Sequence, residues 1–330
     1  MNAQELLKQL ENKQVLIVGD VMLDRYLTGI VSRISPEAPV PIVLHRDTED
    51  RLGGAANVAL NIRALGSQPI LCSVVGNDQE GTLFNNLLPA QGISGAGIVR
   101  SEERQTTVKT RVLGNNQQML RIDREDIHEL SQNEADALLK KIINLLDQRP
   151  VDALILQDYN KGVLSQYVIE NTLEAAYKRG ILTAVDPKKN HFLSYVGVDL
   201  FKPNLKEIRD SAPFYVTPDL ESLNRAASFL AEKLRNQYTM ITLSEKGLYL
   251  NDGQRGNLYP TIPRNVADVS GAGDTVISIA TLAMCAKLPM NIMAALSNLA
   301  GGQVCEFSGV VSVNRDILQA ELEQHLASQK

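Results

Sequence analysis

The sequence predicts an α/β fold with a mostly parallel central sheet and a small β-sheet lid, on three observations. Apolar runs of strand length, such as Gln14–Gly19 and Ala153–Gln157, read as strands buried on both faces. From about residue 131 helical and strand patterns alternate, the arrangement that builds parallel sheets. Two separated segments, approximately 24–47 and 104–123, break this alternation with β-favouring residues and turns, and are assigned to the lid.

Leu6, Leu7 and Leu10 among Glu5, Lys8, Glu11 and Lys13 predict an amphipathic N-terminal helix, not a signal peptide. Strand Gln14–Gly19 ends at Asp20, with Asp24 close behind. Carboxylates just past a buried strand lie where open α/β sheets bind ligands; they suit sugar hydroxyls, or one organises the turn. No G-x-G-x-x-G follows, so a dinucleotide site is not indicated. Ser35-Pro-Glu-Ala-Pro-Val-Pro41 excludes a crossover helix. Leu52–Leu65 reads as a helix stopped by Gly66. Gly53 and Gly54 at its start would admit a substrate to the backbone or allow close packing, and Asn57 offers a donor and an acceptor. Pro69–Val75 is the next strand, and Gly76-Asn-Asp78 leads into a helix.

Gly114-Asn-Asn116 joins Thr106–Leu113 to Gln118–Asp123 as a hairpin. Lys109 and Arg111 share one face of the first strand, and pairing brings Arg121 alongside; they form either a phosphate site or a solvated charged face. Helix 131–147, strand Ala153–Gln157, helix 165–179 and strand Leu182–Val185 follow, with Asp158 and Asp186 at strand ends. In a parallel sheet these ends share one edge, so Asp20, Asp158 and Asp186 are expected to face one cleft.

Asn204 and Glu207, three residues apart at a helix start, suit either a cap or a water shell around Mg²⁺. After strand Met240–Leu243, the turn Ser244-Glu-Lys-Gly247 offers Ser244, Lys246 and Gly247 to a nucleotide phosphate. Helices are expected over 276–286 and 291–307, with Leu296, Asn298 and Leu299 near a base. Gly271, Ala272 and Gly273 precede the first of these. Their N–H groups and the helix dipole form an anion site, with Asp274 in the first turn as general base or as an ordinary cap.

A chain of 330 residues, 44% hydrophobic, supports a large core, and no apolar run is long enough to span a bilayer. A net charge of −5 without a basic run argues against nucleic acid. Cys72, Cys285 and Cys305 are scattered through apolar segments and read as free thiols. A cytoplasmic protein is expected, and an anionic substrate would require a locally basic site.

Gly53-Gly-Ala-Ala-Asn57, Asn204-Leu-Lys-Glu207 and Asp268-Val-Ser-Gly-Ala-Gly-Asp274, in this order, resemble the signatures of the ribokinase, or phosphofructokinase-B, family of sugar kinases. The resemblance implies a ribokinase-like three-layer fold over 1–330 as a single kinase domain. It implies ATP as donor, Mg²⁺ held by Glu207 through water, Asp274 as base and the 271–273 N–H groups on the transferred phosphoryl. Asn204, Glu207, Ser244, Lys246, Gly247 and Asn298 would serve the nucleotide. Asp20, Asp24, Gly53, Gly54, Asn57, Asp158 and Asp186 would serve the sugar. The stretches 19–26, 32–41, 107–113 and 116–123 are similar to those of family members acting on D-glycero-β-D-manno-heptose 7-phosphate. They imply phosphorylation at the anomeric hydroxyl, with Lys109, Arg111 and Arg121 on the 7-phosphate. Kinases for other sugars, or a silent sugar-binding protein, are the alternatives. No H-x-G-H motif occurs, so no adenylyltransferase domain is expected here and a separate one acts later. A homodimer through the lid is also expected.

Overall fold

The computed structural model describes residues 2–328. The chain opens with α1 (Ala3–Gln9) and β1 (Gln14–Gly19), then runs outward along β2 (Val21–Ile34), back along β3 (Pro41–Gly54) and into α2 (Ala55–Ala64). Next come β4 (Gln68–Gly76), α3 (Gln79–Ala90), β5 (Gly97–Ser101), β6 (Val108–Gly114) and β7 (Gln117–Arg124). The alternating part comprises α4 (Gln132–Gln148), β8 (Ala153–Gln157), α5 (Gln166–Tyr177), β9 (Leu182–Asp186), β10 (Leu200–Phe201), α6 (Leu205–Ser211) and α7 (Leu220–Leu234). It closes with β11 (Tyr238–Thr242), β12 (Leu248–Asn251), β13 (Gly256–Tyr259), α8 (Ala272–Cys285), α9 (Met290–Val304) and α10 (Arg315–Ser328).

The central sheet has nine strands in the order β13-β12-β11-β10-β9-β8-β1-β4-β5, parallel except at β11/β12 and β12/β13. Alternate residues of β1 explain the three layers. Val15 and Ile17 belong to the core with α1, α2, α8 and α9, while Leu16 and Val18 face α4, α5 and α7 on the other side.

The second sheet, β3-β2-β6-β7, occupies the expected lid positions. Asn115 and Asn116 both take positive φ, 50° and 64°, so the predicted hairpin turns as its sequence requires. The 25–47 excursion is two 14-residue strands joined at the proline-rich turn. One expectation fails locally: Gly53 and Gly54 pair with Met22 and Val21 as the end of β3, and the helix starts only at Ala55. Gly54, at φ 62°, makes the exit. Helix α9 stops at Val304, short of the expected 307, and α7 and α10 were not among the predicted elements.

Candidate active site

Gly19, Gln157 and Asp186 are register partners across β1, β8 and β9, so the carboxyl ends of these strands form one edge. Facing it, the chain enters α8 through Gly271 at φ 82°. A Cβ there would lie 2.7 Å from Asn57 Nδ2, so both backbone and space demand glycine. Ala272 N–H donates to Val269 O at 3.3 Å, whereas the Gly271 and Gly273 N–H groups meet no acceptor among the described residues. The turn therefore presents unused donors at the positive end of a 14-residue helix.

Asp274 lies in the first turn of α8, 2% exposed. Asn57 Nδ2 donates to its Oδ2 at 2.8 Å, and Gln157 Nε2 and the Tyr159 hydroxyl donate to its Oδ1 at 3.1 and 2.6 Å. Burial dominates and pushes its pKa up to about 6, against the Tyr159 and Asn57 hydrogen bonds. Such a carboxylate is ionised at neutral pH yet basic enough to take a hydroxyl proton.

Asp186, on the same edge, is buried, but Lys202 Nζ at 3.0 Å and Lys188 Nζ at 3.9 Å hold it below the usual carboxylate range. Lys188 also pairs with Glu207. Glu207 and Asn204 exchange hydrogen bonds, each 2.8 Å, as a reciprocal cap on α6. A cavity of about 940 Å³ extends from Asp274 and Gly271–Gly273 past Lys188, Lys202 and Asn204 to Ser244, Gly247 and Asn298. Lys246 is exposed on the same turn, and Leu296 is buried in the core. Asn298 Nδ2 donates to Tyr259 O at 2.9 Å.

The expected sugar residues divide. Asp20, Asp158 and Asp186 do share the strand-end edge, but two of the three turn their oxygens inward. Asp20 accepts from the N–H groups of Tyr159, Lys161 and Val163 at 2.8, 3.1 and 3.0 Å. Burial and the neighbouring Asp158 push Asp20 up to about 6 even so. Asp158 accepts from the Tyr195 hydroxyl at 2.8 Å and Asn160 N–H at 2.7 Å. Both brace the 158–163 loop, because a short carboxylate at a strand end reaches the loop's unpaired N–H groups before it reaches a cleft. Gly53 and Gly54 likewise admit the chain itself: a Cβ would lie 2.1 Å from Asp24 Oδ2 at one and 2.4 Å from Asp20 O at the other.

On the lid, Asp24 and Arg111 form a buried ion pair. Arg121 stands opposite Arg111 in the hairpin, but binds Asp123 of its own strand at 2.9 and 3.0 Å and is exposed. No carboxylate among the described residues lies within ion-pair distance of Lys109, whose Nζ sits over the Tyr159 ring, 5.9 Å from its centre. The lid also meets the catalytic turn. Val310 N–H donates to the Tyr26 hydroxyl at 3.1 Å, Arg51 reaches Val310 O at 3.3 Å, and Gly309 N–H donates to Asp268 Oδ2 at 3.0 Å.

Gln157, Tyr159, Lys188 and Lys202 were missing from the sequence-predicted site. The strand-end rule applied to the aspartates covers Lys188 and Lys202 equally. It covers Gln157 and Tyr159 too, since they flank Asp158 at the end of β8.

A buried carboxylate beside a turn with unused N–H donors is an arrangement suited to phosphoryl transfer. The model of the pfkB family carbohydrate kinases matches residues 12–316, and the chain belongs to this family. It is accordingly a carbohydrate kinase, for which ATP is the implied phosphoryl donor. It is 41% identical over 317 residues to the bifunctional protein HldE of Methylobacillus flagellatus, covering 96% of this chain and 64% of that protein. The HldE protein of Caulobacter vibrioides is 38% identical over 309 residues, with 93% and 62% covered. The chain thus spans slightly less than two thirds of these relatives. Phosphofructokinase-2 from Escherichia coli has the same fold at a TM-score of 0.79 and 18% identity, with 96% and 99% covered. Arabidopsis thaliana ribokinase, solved with ribose and ATP, gives 0.72 and 18%, with 95% and 99% covered. No helix among the described residues is long and apolar enough to cross a membrane.

Proposed function

We propose that this kinase transfers the γ-phosphoryl of ATP to the anomeric hydroxyl of D-glycero-β-D-manno-heptose 7-phosphate. The observation carrying this choice of sugar is that the stretches resembling heptose 7-phosphate kinases fall mainly on β2, the turn that follows it, β6 and β7, all in the lid. Asp274 takes the hydroxyl proton, leaving the sugar oxygen to attack phosphorus as the bond to the ADP oxygen breaks. The Gly271 and Gly273 N–H groups, with Lys188 and Lys202, receive charge on the moving phosphoryl. Ser244, Gly247 and Asn298 line the nucleotide cavity.

Mg²⁺, when bound, supplies charge neutralisation between the phosphates. Glu207 fits a role through water: each of its oxygens carries one partner, Lys188 or Asn204 N–H, and keeps an acceptor position for a water on the ion. Among the described residues no cluster of three or more His, Cys, Asp or Glu forms a direct cage. Lys109, free of a carboxylate partner, is the leading cation for the 7-phosphate; Arg111 reaches it only by sharing itself with Asp24. Exposed Ile34, Leu44, Leu120 and Ile122 on the lid support pairing with a second copy. The product carries an anomeric phosphate, the group on which an adenylyltransferase acts.

The test is ATP consumption with heptose 7-phosphate anomers beside fructose 1-phosphate, tagatose 6-phosphate and unphosphorylated sugars. Preference for another sugar would reject the substrate assignment while leaving the kinase intact.

A further inference from the structure

Asp274 makes more hydrogen bonds than a base needs for orientation, and two of them come from groups that none of the sugar-kinase motifs contains. Oδ1 is filled by Gln157 Nε2 and the Tyr159 hydroxyl, while Oδ2 has Asn57 alone. A carboxylate has about four acceptor positions, so the vacant one is on Oδ2, where a sugar hydroxyl must arrive. Tyr159 therefore need not leave when substrate binds. Its backbone is pinned by Asp20, and Lys109 and Lys188 both lie over its ring, 5.9 and 5.7 Å from the centre. Ammonium groups over a phenol ring hold it in place and strengthen its O–H as a donor.

From this geometry we infer that Tyr159 is a positioning residue that keeps Asp274 ionised and directs the acceptor hydroxyl to Oδ2. The inference rests on Asp274 being the base. The Tyr159 hydroxyl keeps its own proton, because burial and then the Asp274 charge raise its pKa well above the ordinary phenol value. It is thus a permanent donor, opposing the burial that drives Asp274 towards protonation. The other charged groups facing this pair are Asp186, Lys188 and Lys202 at the strand-end edge, and Asp24 and Lys109 on the lid. All stay in place when only the hydroxyl is removed.

Three proteins decide the matter, each assayed for kcat across pH with ATP and the preferred sugar phosphate. Substrate phosphates titrate near pH 6 as well, so the displacement between proteins is read, not the absolute position. Tyr159→Phe should move the acid limb up by about one pH unit, so that its rate is about fivefold down near pH 6, about tenfold down well below it, and approaches the parent near pH 8.5. Replacing Tyr159 with 3-fluorotyrosine, a stronger donor, should move the limb down. Equal loss at every pH in the Phe variant, or an unmoved limb, overturns the inference. If the Phe variant does not fold, the fluorotyrosine protein decides alone, and an unmoved or raised limb overturns it. Asp274→Asn separates the two readings. Full activity there removes the base, whereas its inactivity with an unmoved Phe limb removes only Tyr159.

Discussion

The two sheets solve opposite problems. The central sheet is buried on both faces and leaves only its carboxyl edge polar, where nearly every charge is matched: Asp186 by Lys202, Glu207 by Lys188, Asp20 by three N–H groups. The lid sheet is buried only where β2, β3 and β6 leave the main domain, carries one buried ion pair among the described residues, and exposes apolar side chains such as Ile34 and Leu120. In the proposed function, chemistry falls to the first of these layers and the choice of sugar to the second.

Substitutions should reveal the same division. Asp274→Asn is expected to lower kcat about 10²–10⁴-fold with little change in either KM, the range for loss of a general base. A comparable rise in sugar KM would show that the central edge also selects substrate. Arg111→Ala should come next. Leaving Asp24 buried and unpaired costs about 3–5 kcal/mol, visible as a lowered melting temperature, and sugar KM should rise far more than ATP KM. Leu120→Lys should shift sedimentation towards monomer and raise sugar KM only modestly; an unchanged assembly would remove the lid as interface. Arg121→Ala is the smallest, about 0.5 kcal/mol or less in stability, because its partner Asp123 is an exposed neighbour on the same strand. A large sugar KM effect there would restore Arg121 to the phosphate site.

The acid limb gives a further check on the central edge. With Asp274 as the proposed base and its pKa raised to about 6, activity should fall as pH drops through about 6. Stability has the opposite sign. Asp20 and Asp274, both raised from 3.8 to about 6, contribute stability that is full below the unfolded value and lost as pH rises through 6.

Strands β1, β8 and β9 were legible because a strand buried on both faces must be an unbroken apolar run. The lid hairpin was legible because Gly114-Asn-Asn116 allows little else. The start of α2 was misread because Gly53 and Gly54 satisfy a helix start and a tightly packed strand end equally well. Arg111 looked like a free cation because Asp24, 87 residues away, meets it only through the parallel pairing of β2 and β6. Gln157 and Tyr159 flank Asp158 at a strand end that the sequence marks, but only the arrival of residue 274 beside them shows which of the three faces it.

The contact of Tyr26 and Arg51 with residues 308–310 has a consequence for how the protein opens. Gly309 N–H holds Asp268 at the head of the catalytic turn, and its neighbour Val310 N–H is held by the lid tyrosine. Lid and turn therefore belong to one cooperative unit, and the amide hydrogens of Gly309 and Val310 should exchange with solvent together, at the rate at which the lid itself lets go.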